Sequence, residues 1–253
     1  MNLYEAISGR KSVRRFEDKT LAQKLLDQIL VFCRKAAVLD LEIETKAEIL
    51  DNTKKQVHLK GLWKVEAPYY LVLTSEDKKG CERNAGYLAE QVVLYLTAKG
   101  IGSCYLGGSK ANTAVPKGWK EVMIIAFGYA QGILLREASK AKRLSLKELC
   151  VFKEEPDEAV KTVLKAARLA PSSMNTQPWR FIVYKDRFYL FSCREMIPFS
   201  MLSSMREFNI GIVLAHIMLA AEELWLRMGF EVEEALNKKV YKNGDYVGTI
   251  TLQ

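Results

Sequence analysis

The densest run of chemistry-bearing side chains falls at residues 170–179, where Ser172, Ser173, Asn175 and Gln177 stand between Pro171 and Pro178 and are closed by Trp179. A helical run precedes this segment and an apolar stretch follows it. Pro171 stops the helix near Ala170, because proline lacks an amide proton and its ring clashes with the preceding turn. Gln177, standing before Pro178, is expected to be extended. The product is a rigid turn displaying hydroxyl and amide groups. Such a row suits a flat ligand with a polar edge. The same composition also describes an ordinary helix-to-strand turn.

A second cluster lies near the start of the chain: Arg10, Lys11, Ser12, Val13, Arg14, Arg15 and Phe16, after a short helical turn ended by Gly9. In an extended segment alternate side chains share a side, so Arg10, Ser12, Arg14 and Phe16 should face together and Arg15 away. Two guanidiniums with a hydroxyl between them form an anion site, since the planar fork of arginine grips phosphate oxygens in pairs. A solvated basic loop is the other reading. A third cluster, Gly100, Gly102, Cys104, Leu106, Gly107 and Gly108, follows a helix over about 85–99 whose Leu88, Val92, Tyr95 and Leu96 keep helical spacing. Gly107 and Gly108 offer side-chain-free backbone against a planar ring. The glycine spacing is neither the dinucleotide fingerprint nor a P-loop.

Together the three clusters resemble the FMN-dependent nitroreductase family. Residues 10–14 resemble its R-x-S-x-R segment for phosphate and ribityl, and 171–179 resemble its P-S-x-x-N-x-Q-P-W turn. Leu106, Gly107 and Gly108 resemble its glycine-bearing loop beside flavin N5, and Phe127-Gly128-Tyr129 with Lys142 and Arg143 resemble its strand and later basic residues. The resemblance implies an α+β (α/β) nitroreductase-like fold, a mixed sheet with long central helices. It implies FMN as cofactor, NADH or NADPH as reductant and nitroaromatic or quinone-like acceptors. The flavin would carry the chemistry, without a catalytic side chain or metal. In this reading Arg14 faces the flavin N1 and C2 carbonyl, while Arg10, Lys11 and Arg143 serve the phosphate. Ser172, Ser173 and Asn175 bond the ribityl and ring edge, and the Gly107 amide lies near N5. Ser12, Leu106, Gly108, Lys142, Pro171 and Gln177 complete the set.

The order of the motifs departs from that family. There the Ser/Asn turn follows the arginine segment one helix later, but here residues 38–44 at that place hold no proline, no Ser-Ser pair and no amide. An internal repeat accounts for this. Residues 25–37, the strand led by Pro68 and the helix ending at Gly100 correspond to residues 159–170, the strand led by Pro178 and a helix from about Ile210 ending at Gly229. Family members are typically homodimers with flavins at the subunit interface. The resemblance therefore implies a dimer fused into one chain: half one at 1–131, a linker at 132–158 and half two at 159–253. Half one keeps the arginines and glycine loop, and half two keeps the turn. The count is one flavin site per chain, in a monomer that acts as an internal pseudo-dimer.

The bulk properties restrict the alternatives. The chain has 253 residues, 49% of them hydrophobic, enough for a sizeable core. Its net charge of +8 is spread among acids without a basic stripe, which argues against a nucleic-acid partner. The most apolar helix carries Glu222 and Glu223, so no membrane span is expected. Five cysteines without a C-x-x-C pair suit a reducing compartment and argue against a disulfide framework or zinc site. The opening residues read as helix rather than signal peptide, which gives a cytoplasmic expectation. His58 and His216 are too few for the usual hydrolase or metal centres, and His216 is expected in the core. Strands are expected near 69–73, 122–128, 181–184 and 187–191. Two other functional readings stay open: a flavin-binding carrier or sensor with little turnover, and an unrelated α/β protein using a cysteine. Flavin colour separates the last reading from the others, and bleaching by NAD(P)H followed by reoxidation with a nitro compound separates enzyme from carrier.

Overall fold

The structure, a computed structural model, describes residues 1–61, 65–111, 113–193, 200–241 and 244–253, with the backbone alone at 200–204. Two compact units divide the chain, Met1–Lys140 and Ala141–Gln253.

The first unit opens with α1 (Leu3–Gly9), started by a capping box in which Asn2 Oδ1 accepts from the Glu5 amide and the Glu5 carboxylate accepts from the Asn2 amide. Helix α2 (Gln23–Lys35) is amphipathic and buries Leu26, Ile29 and Cys33. There follow β1 (Thr45–Asp51), β2 (Tyr69–Glu76), α3 (Cys81–Ala98), β3 (Gly102–Tyr105) and β4 (Trp119–Gly128). The strands pair in the order β1-β2-β4-β3, all antiparallel. Leu71, Val72, Ile124 and Ile125 of the central strands are fully buried, as are Leu94 and Leu96 of α3. Tyr69 stacks on Phe127 with ring centroids 5.5 Å apart.

The second unit holds α4 (Leu146–Leu149), β5 (Cys150–Phe152), α5 (Glu158–Arg168), β6 (Trp179–Val183), β7 (Arg187–Cys193), α6 (Ser200–Glu223), β8 (Met228–Glu231), β9 (Val240–Tyr241) and β10 (Gly244–Leu252). Its sheet runs β5-β6-β7-β10-β8, with β9 on β10. Strand β5 is parallel to β6 and the other pairs are antiparallel, so the sheet is mixed. This is the α+β class expected. Trp179, Phe181 and Phe188 are fully buried, and so is His216 of α6, with Nδ1 2.9 Å from the Ala166 carbonyl oxygen of α5.

Within each unit one core plan repeats, helix, two strands, long helix, two strands: α2-β1-β2-α3-β3-β4 and α5-β6-β7-α6-β8-β10. The strand orders agree, β1-β2-β4-β3 against β6-β7-β10-β8. This shifts the correspondence expected from the sequence. The strand led by Pro178 answers to β1, and β2 answers to β7. Strand β1 escaped notice because Lys46, Glu48 and Asp51 are exposed and no continuous apolar run marks it. The long helices close in the same way. Ile101 N donates to Leu96 O (2.9 Å) and Gly100 N to Thr97 O (3.0 Å), and Leu226 N donates to Ala221 O (2.9 Å) and Trp225 N to Glu222 O (2.9 Å). Both are Schellman closures, which need a left-handed residue after the cap. Gly100 (φ +79°) fills that place in one and Trp225 (φ +60°) in the other. Helix α6 therefore ends at Glu223 and not at Gly229, and it begins at Ser200, earlier than expected. Among the described residues no helix is long and apolar enough to cross a membrane.

Candidate functional site

In the first unit the arginine segment lies along the edge strand β3. Val13 N donates to Ser103 O (2.8 Å), and Ser12 and Ser103 form a parallel bridge. Gly102 permits this approach, since a Cβ there would lie 2.8 Å from a Val13 methyl. Strand β3 runs straight into Leu106, Gly107 and Gly108, so two of the sequence clusters meet here. Gly108 is left-handed (φ +76°), and a Cβ on Gly61 would sit 2.8 Å from the Gly108 carbonyl oxygen. Cys104 is buried, and burial pushes its thiol pKa up against the opposing pull of Arg14, Arg10 and a bond to Ser12. A buried thiol of this kind packs rather than attacks.

Arg10 is 3% exposed, with Nε 3.7 Å from Glu90 Oε1, and Glu90 is fully buried. The Tyr105 hydroxyl donates to Glu90 Oε2 (2.7 Å), and burial first, then Glu90, holds its pKa well above the ordinary phenol value. Arg136 joins them, its amide donating to Gly9 O (2.8 Å). Burial first, then the Arg10 charge, lowers the Arg136 pKa to about 10 against the pull of Glu90. Arg10 Nε and Arg136 Nε and Nη2 are buried without hydrogen-bond partners. Among the described residues the charges of Arg10 and half-buried Arg136 thus both act near the Glu90 carboxylate, and positive charge taken out of water is costly unless an anion answers it. No motif marks Arg136, Glu90 or Tyr105 in the sequence.

Lys11 is half-buried and Arg14 exposed. Arg14 and Arg15 both line a cavity of about 330 Å³ with Asn52, Lys55 and Gln131. The simple alternation expected for them is therefore not kept, because between the Ser12 and Phe16 bridges the segment joins no continuous ladder. Only Arg14 of the two acts on Cys104.

The second unit holds the turn. Helix α5 ends at Arg168, Pro171 is buried, and Met174, Asn175 and Gln177 take positive φ of 50°, 59° and 48°. Gln177 is not extended as expected. Ser172 Oγ accepts its amide (2.8 Å), its Oε1 accepts from Leu144 N (2.8 Å) and its Nε2 donates to Asn175 O (3.1 Å). These bonds override the pre-proline preference. Non-glycine residues in this region are strained and cluster at functional sites.

Arg143 ties the turn together: Nε donates to Ala170 O (2.9 Å) and Nη1 to Asn175 Oδ1 (2.6 Å), while Asn175 Nδ2 donates to Lys142 O (3.0 Å). Ser172 and Ser173 are half-buried and Met174 is exposed. Asn209 of α6 lies beneath, its Oδ1 accepting from Ser173 N (3.1 Å) and Oγ (3.4 Å). The sequence reading passed over Asn209 because an asparagine inside an apolar helix carries no motif. The candidate residues thus form two clusters. Arg10, Lys11, Ser12, Arg14, Leu106, Gly107 and Gly108 belong to the first unit, and Lys142, Arg143, Pro171, Ser172, Ser173, Asn175 and Gln177 to the second.

Comparison with known proteins bears on what these clusters hold. Residues 2–221 match the family described as "Putative TM nitroreductase". The "Putative NADH dehydrogenase/NAD(P)H nitroreductase" of Archaeoglobus fulgidus is 51% identical over 43 residues, 17% of this chain and 25% of that protein, so the likeness spans a quarter of the relative. The crystal structure of a "putative nitroreductase" from Thermotoga maritima is similar with a TM-score of 0.67 at 21% identity, over 100% of this chain and 93% of that one. A nitroreductase family protein from Clostridium difficile 630 gives 0.52 at 16% identity, over 61% of this chain and 100% of that one. At these identities the structural likenesses show a shared fold.

Proposed function

Because the chain belongs to this nitroreductase family, we propose that it is an FMN-dependent oxidoreductase passing electrons from NADH or NADPH to nitroaromatic or quinone-like acceptors. The observation that carries the proposal is the placement of the 10–14 segment along β3, which sets Ser12 and Arg14 beside the strand feeding Leu106, Gly107 and Gly108. The guanidinium nitrogens of Arg10 and Arg136 that lack a hydrogen bond fit a cofactor that carries a phosphate. The archaeal relative's name includes NAD(P)H, which supports the nicotinamide reductant.

Bound FMN supplies the hydride and electron chemistry. The chain binds and orients. Arg10 and Arg136 provide positive charge for the phosphate, with Lys11 at the segment's surface. Ser12 and the backbone of Leu106, Gly107 and Gly108 give a close, side-chain-free approach to the ring. Arg14 favours negative charge at the ring's N1 edge. Ser172, Ser173 and Asn175 supply hydroxyl and amide groups for the ribityl, and Pro171, Gln177, Lys142 and Arg143 hold them in place. We expect one flavin per chain, in a monomeric protein, because each unit retains a different part of the family's residue set. Five cysteines without a C-x-x-C pair suit a cytoplasmic setting.

Purified protein should be yellow, lose its flavin absorbance under NADH or NADPH without oxygen, and regain it on adding a nitroaromatic or quinone. Protein that takes up no FMN overturns the proposal. Bleaching without reoxidation by any acceptor replaces the enzyme with a carrier.

A further inference from the structure

Asn84 and Asn209 occupy the same place in the two long helices. Asn84 pairs with Asn209, Gln91 with His216, Leu96 with Ala221 and Gly100 with Trp225, a constant shift of 125 residues. A glycine stands two residues after each asparagine, Gly86 and Gly211. Residues seven apart share a helix face, and in both units that face grips the end of the helix that opens the core plan, as for α5, or the segment just after it, as for α2. Gln91 bonds both backbone groups of Ala37 (3.1 and 2.9 Å), and His216 Nδ1 lies 2.9 Å from Ala166 O. In the first unit Asn84 is fully used. Its Oδ1 accepts from Leu39 N (2.8 Å) and Asp40 N (3.0 Å), and its Nδ2 donates to Asp40 O (3.2 Å) and Ile43 O (3.1 Å).

In the second unit the acceptor half of this arrangement survives and the donor half does not. Asn209 Oδ1 accepts from Ser173 N and Oγ, but Nδ2 is buried without a partner in a residue 1% exposed. The same amide is satisfied in the unit that lacks the Ser/Asn turn and unmet in the unit that has it. An unmet buried donor is costly, and here it lies next to strained backbone at Met174 and Asn175. We infer that Asn209 belongs to the ligand site: Oδ1 fixes Ser173, and Nδ2 is kept for an oxygen acceptor of the ligand that the turn binds. The inference rests on the proposed FMN reading, in which that acceptor is a ribityl hydroxyl or ring carbonyl.

Asn209→Asp tests this with FMN itself, since a carboxylate still accepts from Ser173 but cannot donate. The expected result, read by flavin fluorescence in the full chain, is a Kd raised about tenfold at neutral pH. The ratio to wild type should shrink as pH falls, because a protonated carboxyl regains a donor. Asn84→Asp should lower the thermal midpoint and leave the Kd within about twofold. Asn209→Ala provides the same comparison if Asn209→Asp does not fold. Unchanged affinity in the Asn209 variants, or equal loss in the Asn84 variant, overturns the inference while FMN binding stands. A wild-type chain that binds no FMN overturns both.

Discussion

Arg14 and Arg15 are both exposed and line one cavity, and of the two only Arg14 adjoins Val13, whose amide donates to Ser103 O of β3, and pulls on the Cys104 thiol. Arg14→Ala should therefore weaken FMN retention about tenfold to a hundredfold, the range for losing a charge-assisted bond, and Arg15→Ala should change it little. Equal losses in a flavin titration would remove Arg14 from the site. Arg136 gives a prediction of opposite sign for stability. Its folded pKa of about 10 lies below the ordinary guanidinium value, so the folded state holds this proton less firmly than the unfolded one. The penalty is full below about pH 10 and relaxes as pH rises through the folded pKa. Arg136→Met should thus raise the thermal midpoint of the flavin-free protein at neutral pH, by about 2–4 °C for each kcal/mol relieved, while weakening FMN binding. A lower midpoint would show that the charge is answered within the fold. The arginine segment could be read from the chain because its spacing is local. Glu90, Tyr105 and Arg136 could not, because only the fold brings them to Arg10.

The two long helices close with the same backbone bonds, and the residue that closes them differs. Gly100 takes its left-handed conformation freely, whereas Trp225 pays for φ +60° and is 96% exposed, so its side chain gains nothing from packing. Trp225→Gly should stabilise the protein by about 1 kcal/mol, the usual cost of a left-handed non-glycine residue. Thermal unfolding should show it as a rise of about 2–4 °C. No change would mean that Trp225 is held by a contact in solution. The same position explains the misread helix end, since sequence reasoning looks for glycine at a Schellman closure and found Gly229 instead. The strands at 69–73, 122–128, 181–184 and 187–191 were legible because buried runs in Tyr69–Glu76, Trp119–Gly128, Trp179–Val183 and Arg187–Cys193 are apolar. Strand β10 carries Gly244, Gly248 and two threonines among its apolar residues, which broke the pattern. At the turn, Pro171 located the break correctly. The pre-proline rule misjudged Gln177, whose conformation is set by Ser172 and Leu144 rather than by its neighbour.

At the scale of the whole chain the repeated plan predicts how many flavins bind. Both units carry the core plan of helix, two strands, long helix and two strands, but each has only part of the residue set proposed to bind flavin. Arginines precede α2, whereas residues 150–157 before α5 contain none. Gly107 and Gly108 follow β3, whereas Val232, Glu233 and Glu234 follow β8. Hydroxyls and amides follow α5, whereas Leu39 and Asp40, pinned by Asn84, stand after α2. A second flavin would have its phosphate without guanidiniums, and a desolvated dianion without cationic partners is strongly disfavoured. We therefore expect one FMN per chain, measured as extracted flavin against protein. Replacing Ser172 and Asn175 together with alanine should empty that site, although these residues lie far along the chain from Arg10 and Arg14. The loss of Asn175 should also free Arg143 from its bond to the turn, so the double variant should lose some thermal stability as well as flavin. A ratio near two per chain, or full flavin content in the folded double variant, would refute the expectation that one flavin per chain needs both residue sets. In that case each unit would have to be treated as a binding module of its own.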